Sequence, residues 1–202
     1  MTQVDRSLIA FQQELAIAVD DLVQMLALTY EGFIRHRRAA LESAEGLASQ
    51  VHDFEKGFAE RVIREGREKA GARLLLALAA HVERIGDCVE SVIRSVRAKI
   101  DEGTLFSDKA VQELTQVFDS TKDILRNIKD TALTGNPILL EHVVASSDKL
   151  SETAAEFATQ HQERLISGVC QPKHSSLYLD IIDNLRSSAW HAREMAMKVR
   201  AS

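Results

Sequence analysis

LLALAAHVERIGDCVESVIRSV, Leu75 to Val96, is the stretch that decides the fold of this chain. Its apolar residues Leu75, Leu78, Val82, Ile85, Val89, Val92 and Val96 are spaced alternately by three and four, a strict heptad seam of the kind that packs into a helical bundle. Burying each such side chain is worth about 1.5–3 kcal/mol, so the seam dominates the local energetics. The composition points the same way. Aromatic residues make up only 5% of the 202 positions, charged residues make up 27%, and Pro137 and Pro172 are the only prolines. Leu, Ala, Glu, Arg and Lys form a helix-favouring mixture. The expectation is an all-α protein with room for one or two small domains and a sizeable core.

Working outward, six helical segments can be read. The first runs from about Asp5 to Arg38, with Leu8, Leu15, Leu22 and Leu26 along it. Ser43 is the N-cap expected for the second, which carries Leu47, Val51, Phe54, Phe58 and Val62 on one face. The third spans about Ala70 to Glu102, with Gly103 as its stop signal. Ser107 caps a fourth, lined by Val111, Leu114, Phe118, Leu125 and Ile128. In "TGNP" the chain stops and restarts, with Asn136 at the N-cap and Pro137 at the first helical position of a fifth helix ending near Ser167. "SGVCQPKHSS" reads as a loop, and a sixth helix runs from about Ser175 to Arg200.

The heptad seam recurs. Moving 103 positions along gives Tyr178, Ile181, Leu185, Ser188, Ala192, Met195 and Val199, apolar except at Ser188. The second and fifth helices also match in their middles, "VHDFEK" at Val51 against "VASSDK" at Val144. The chain therefore reads as two tandem three-helix repeats, 1–103 and 104–202, packed side by side as one elongated six-helix bundle.

Within the seam stretch, Glu83, Asp87 and Glu90 fall at heptad positions b, f and b, on one face that points away from the seam. A ferritin-like di-iron site needs inward carboxylates and Glu-x-x-His pairs, and no histidine here has a glutamate three residues before it. By themselves these residues favour an ordinary solvated face, supported by Glu90 with Arg94 and Arg84 with Asp87. The sharper reading is a metal site, because carboxylates one turn apart bind hard cations such as Mg²⁺, Mn²⁺, Fe or Ca²⁺. Asp53 and Glu55 on the second helix are placed to add oxygens if that face is near.

"HVERIGDCVESV" resembles the "LERIGDHA" signature of the PhoU family, and "VHD" at Val51–Asp53 resembles the acid-bearing V-x-D element of the preceding helix in that family. The resemblance implies a two-repeat, six-helix cytoplasmic protein that regulates phosphate uptake and phosphate-dependent signalling. It also implies a surface metal cluster, iron or zinc, held by an acidic E/D-x-x-x-D motif in each repeat. Carried over, Glu83 and Asp87 are ligands, Asp53 is a further candidate, and Glu90 is not demanded by the signature. The second repeat departs from the pattern, placing Arg186 opposite Glu83, Trp190 opposite Asp87 and Arg193 opposite Glu90. That face is expected to have lost its metal. It reads either as a partner-binding patch, since Trp and Arg are enriched in binding hot spots, or as cover for a neighbouring helix.

The formal net charge of −5 argues against general nucleic-acid binding. Asp5 and Glu14 interrupt any secretory leader, and the longest apolar run, Leu74 to Ala80, is too short to span a bilayer. Cys88 and Cys170 form no CxxC pair and suit a reducing compartment. No phosphate-binding glycine loop or nucleophile motif appears, so the chain is expected not to be an enzyme. The function expected is a metal-binding regulatory adaptor whose partner is a phosphate transporter or a sensor kinase, cytoplasmic or held at the inner membrane through that transporter. The competing readings are a metal-free helical interaction module, including the soluble domain of a sodium/phosphate cotransporter, and a carboxylate-metal hydrolase. A homodimer stays among the options for the oligomeric state.

Overall fold

The computed structural model describes residues 3–66, 70–168 and 172–201. Six α-helices and one short 3₁₀ turn make up its regular structure, and no strand occurs among the described residues. The helices are α1 (Gln3–Arg35), α2 (Arg38–Gly66), α3 (Ala70–Asp101), α4 (Asp108–Thr134), α5 (Pro137–Ile166) and α6 (Ser175–Ala201), with the 3₁₀ turn at Pro172–His174. The all-α six-helix bundle expected from the seam and its recurrence is thus observed.

α1, α2 and α3 pack on one another, and so do α4, α5 and α6. The two triads meet through α3 against α6 and α1 against α4. Every seam residue of α3 from Leu75 to Val96 is buried, and so are Tyr178, Ile181, Leu185, Ser188, Ala192 and Met195 of α6. α3 and α6 run antiparallel, because His81 meets His191 while Cys88 meets Ser188 further along.

Local signals account for both ends of α4 and for the start of α5. The Ser107 side chain accepts from the Ala110 N–H, the Asn136 side chain accepts from the Ile138 N–H, and Pro137 follows at the first helical position. Gly135, at φ 61°, closes α4 by donating its N–H to the Thr131 carbonyl. The α1–α2 boundary differs from the expectation. α1 ends at Arg35, and α2 begins at Arg38, well before Ser43. His36 makes the turn in the left-handed region at φ 52°, and its Nε2 lies 2.6 Å from Nζ of buried Lys99. Ser43 lies inside α2, donating to the Ala39 carbonyl one turn back. Of the expected loop after α5, Pro172–His174 forms the 3₁₀ turn, and Cys170 lies outside the described residues.

One buried polar cluster holds the second triad together. Glu113 of α4 accepts two hydrogen bonds from Arg164 of α5, at 3.0 and 2.7 Å, and one from the Tyr178 hydroxyl of α6. Burial, with the Glu113 carboxylate adding, pushes the Tyr178 phenol well above its ordinary pKa. His161 stacks on Tyr178 at 4.4 Å and faces the Ser175 hydroxyl at 2.8 Å. Burial, with Arg164 adding, pushes the His161 imidazole below its ordinary 6.5.

Arg164→Met removes both close guanidinium hydrogen bonds from the buried Glu113 carboxylate, with Lys109 at 3.7 Å still paired to it, and is expected to cost about 3–5 kcal/mol in urea unfolding. Arg126→Ala, which removes an exposed pair with Asp123, should change stability by less than about 1 kcal/mol. Comparable losses in the two variants would contradict the assignment. His161 also makes a pH prediction. Its lowered folded value means that the unfolded chain takes up the proton first. The stability His161 contributes is therefore present above pH 6.5 and is lost as the pH falls from there toward the folded value. His161→Phe, which retains a ring against Tyr178, should flatten that acid limb.

Candidate metal centre

α2 and α3 cross closely at Gly86. A Cβ built on Gly86 would lie 3.2 Å from Val51 Cγ1, tighter than ordinary contact, so the glycine gives Val51 a few tenths of an ångström of extra room there. That approach brings the next residue of α2, His52, over the acidic face of α3. His52 Nδ1 lies 2.5 Å from Glu83 Oε1, and His52 Nε2 lies 3.0 Å from Glu90 Oε1. Ligand atoms of His52, Glu83 and Asp87 all lie within 4.8 Å of one another.

The stripe is outward-facing but not uniformly solvated. The Asp87 side chain is 46% exposed, while Glu83 is 28% exposed beneath His52. Glu83 Oε2 is buried and has no hydrogen-bond partner. An orphaned carboxylate oxygen carries the full desolvation penalty of the lost water, and a cation at this point would satisfy it. The hydrogen bond from His52 to Glu83 holds the imidazole above its ordinary pKa. Burial opposes that shift, and Glu90 adds to it.

Of the expected ligands, Glu83 and Asp87 come together and Asp53 does not. Asp53 is exposed and stands outside the group. At about 100° per residue, Asp53 lies some 200° round α2 from buried Val51, whereas His52 lies only about 100° away, at the edge of the packed face. The V-x-D element thus turns its middle residue toward the acidic face of α3. The angular position relative to Val51 was the available signal, and a pattern of acids hides it.

The second triad repeats this crossing with the charges reversed. Ser147 Oγ donates to the Ala189 carbonyl at 2.8 Å, and Ala189 stands 103 positions after Gly86. Arg193 Nε donates to Asp148 Oδ1 at 2.9 Å, and Arg193 stands 103 positions after Glu90. The matching offset from Val51 to Ser147, and from His52 to Asp148, is 96. The sequence pairing of Val51 with Val144 is therefore three residues out of contact register. A cation on α6 and an acid on α5 replace the acid on α3 and the imidazole on α2. Among the described residues, His52, Glu83 and Asp87 are the group that could hold a metal ion.

Of the expected partner-binding face, Arg186 and Trp190 line a groove together with Ser151, Ser187 and His191. Arg193 is turned away into its pairs with Asp148 and Glu194. Trp190 is 50% exposed, and its ring also meets His81 of the neighbouring α3, so it covers part of that helix and leaves part of its own surface open. Nearby, burial pushes both the His81 and His191 imidazoles below their ordinary values and pushes the Cys88 thiol up.

No protein-family model and no curated protein matches the chain by sequence. By structure, the chain is similar to the crystal structure of PhoU from Pseudomonas aeruginosa, with a TM-score of 0.88 at 15% sequence identity. The match covers 98% of this chain and 97% of that one. At this identity the likeness establishes a shared fold.

Metal analysis of untagged protein tests the centre. Glu83→Ala with Asp87→Ala, and His52→Ala alone, are expected to strip the bound metal, while Asp53→Ala retains it. Glu90→Gln, which weakens the hold on His52 Nε2, should lower metal affinity by about 10–100-fold. Metal content unchanged in the double variant and in His52→Ala would remove the site.

Proposed function

We propose that this chain is a PhoU-like regulator that couples phosphate transport to phosphate-dependent signalling by contact with a partner, and that it carries metal on the α3 surface. The observation that supports the phosphate reading is the end-to-end fold likeness to PhoU, together with the "ERIGD" stretch at Glu83–Asp87. On this reading the chain divides into PhoU-like repeats at 1–103 and 104–202. The first repeat retains the acidic motif and the second has lost it.

The donor set is one imidazole nitrogen and two carboxylates. Imidazole suits zinc and iron, whereas calcium and magnesium favour oxygen alone, so the set fits the iron or zinc implied by the family resemblance. His52, Glu83 and Asp87 would hold the ion, and when bound it would offer positive charge and open positions to an oxyanion. Glu90 fits the part of the carboxylate that accepts the distal N–H of a metal-bound histidine. With the ion bound, that hydrogen bond would fix the tautomer and leave Nδ1 free to ligate in place of its hydrogen bond to Glu83.

A second reading rests on the same histidine. With both ring nitrogens facing carboxylates, a protonated His52 bridges Glu83 and Glu90 as a metal-free clasp. The chain would then be a helical interaction module, including the soluble domain of a sodium/phosphate cotransporter. That arrangement leaves Glu83 Oε2 unsatisfied, which favours the metal reading.

No helix among the described residues is long and apolar enough to cross a membrane. We place the protein in the cytoplasm, reaching the inner membrane through its partner, and we assign it no catalysis. The tagged chain recovered from cells grown in low and in high phosphate should carry a phosphate transporter or a sensor kinase, with the yield changing between the two conditions. Recovery of neither would contradict the adaptor role.

A further inference from the structure

The groove beside Trp190 has a volume of about 330 Å³ and is lined by Ser151 of α5 and by Arg186, Ser187, Trp190 and His191 of α6. Its place in the fold is specific. In the contact register, Arg186 stands where Glu83 stands, Trp190 where Asp87 stands, and Ser151 where Glu55 stands. The crossing that gathers carboxylates in the first half gathers a guanidinium, an indole and hydroxyls in the second. A site shaped for a cation has become one shaped for an anion carrying a flat ring.

Each lining group retains binding capacity. Half of the Trp190 surface faces solvent, and its contacts with His81 and His191 are edge-on, at 6.5 and 4.8 Å between ring centres. Arg186 meets Asp183 at 3.0 Å in a solvent-exposed pair, and such pairs are worth at most about 1 kcal/mol, too little to hold the guanidinium against a better anion. Ser187 donates its proton to the Asp183 carbonyl at 2.8 Å, which leaves its lone pairs for an incoming donor. His191 is held from behind by His81, with their Nδ1 atoms 3.1 Å apart, and forms a fixed wall.

We infer that this groove binds a mononucleotide. The base stacks on Trp190, the phosphate takes the fork of Arg186, and the Ser151 and Ser187 hydroxyls meet the ribose. Base stacking on an aromatic side chain is worth about 1–3 kcal/mol and tolerates any base, and a guanidinium matches phosphate with two parallel hydrogen bonds. The volume lies at the lower end of small-molecule sites, about 300–1,000 Å³. Among the residues that line the groove, Arg186 is the one formally charged side chain. The inference depends on neither the metal reading nor the phosphate-regulator reading.

Trp190 is the only tryptophan in the chain, so its fluorescence reports this groove alone. Titration with AMP, ADP and ATP should quench it saturably, adenosine should bind more weakly, and inorganic phosphate should leave it unchanged. By calorimetry, Arg186→Ala should bind nucleotide at least about tenfold more weakly, and Trp190→Leu about 5–150-fold more weakly while its thermal melt matches wild type. Glu83→Ala, which disables the metal centre, should bind nucleotide as wild type does. Three results would overturn the inference: no saturable nucleotide signal up to millimolar concentration, equal affinity in Arg186→Ala, or inorganic phosphate binding as tightly as AMP. An acidic aromatic peptide that saturates the quench where nucleotides do not would assign the groove to a protein partner and overturn it too.

Discussion

Everything in this molecule hangs on the antiparallel packing of α3 against α6 along two matching heptad seams. Seven buried positions on α3, Leu75 to Val96, fix which way that helix faces, and six on α6 fix its partner. Once those faces are committed to each other, Glu83, Asp87 and Glu90 cannot point inward, and neither can Arg186 or Trp190. α2 then closes on α3 through Val51 over Gly86, and α5 closes on α6 through Ser147 on the Ala189 carbonyl. Both candidate sites lie beside these two crossings.

The crossings share a backbone arrangement and differ in charge. On α3, acids one turn apart repel by roughly 0.2–0.5 kcal/mol per pair, and Arg84 and Arg94 offset part of that at Asp87 and Glu90. His52 supplies further positive charge, and the bare Glu83 oxygen shows where more is needed. On α6 the imbalance is resolved within the chain, since Arg193 takes Asp148 and Glu194 while Arg186 takes Asp183. The second half has no electrostatic need for a metal. What remains unsatisfied there is the exposed indole.

The fold was largely legible because its determinants are one-dimensional. A three-four alternation marks a packed face wherever it occurs, and Ser107, Asn136 and Pro137 act on their immediate neighbours. The α1–α2 turn was not legible. It turns on His36 in a left-handed conformation, with no glycine or proline to mark it. The candidate site was legible where α3 carries it and illegible where α2 does. Glu83 and Asp87 follow from the motif, but which α2 residue faces them depends on rotation about the helix axis. Val51 sets that rotation through its contact with Gly86, and it puts His52 where an acid was expected. For the same reason a short likeness between "VHDFEK" and "VASSDK" misplaced the α5 register by about one turn.

On the proposed reading, His52, Glu83 and Asp87 together bind a metal on this six-helix scaffold. X-ray absorption at the metal edge of the protein as purified, without a tag, addresses it most directly. The expected spectrum has one imidazole nitrogen and carboxylate oxygens at about 2.0–2.2 Å from the metal, and it loses its imidazole scattering in His52→Ala. A shell of oxygen alone, or imidazole scattering that survives in His52→Ala, would contradict that reading.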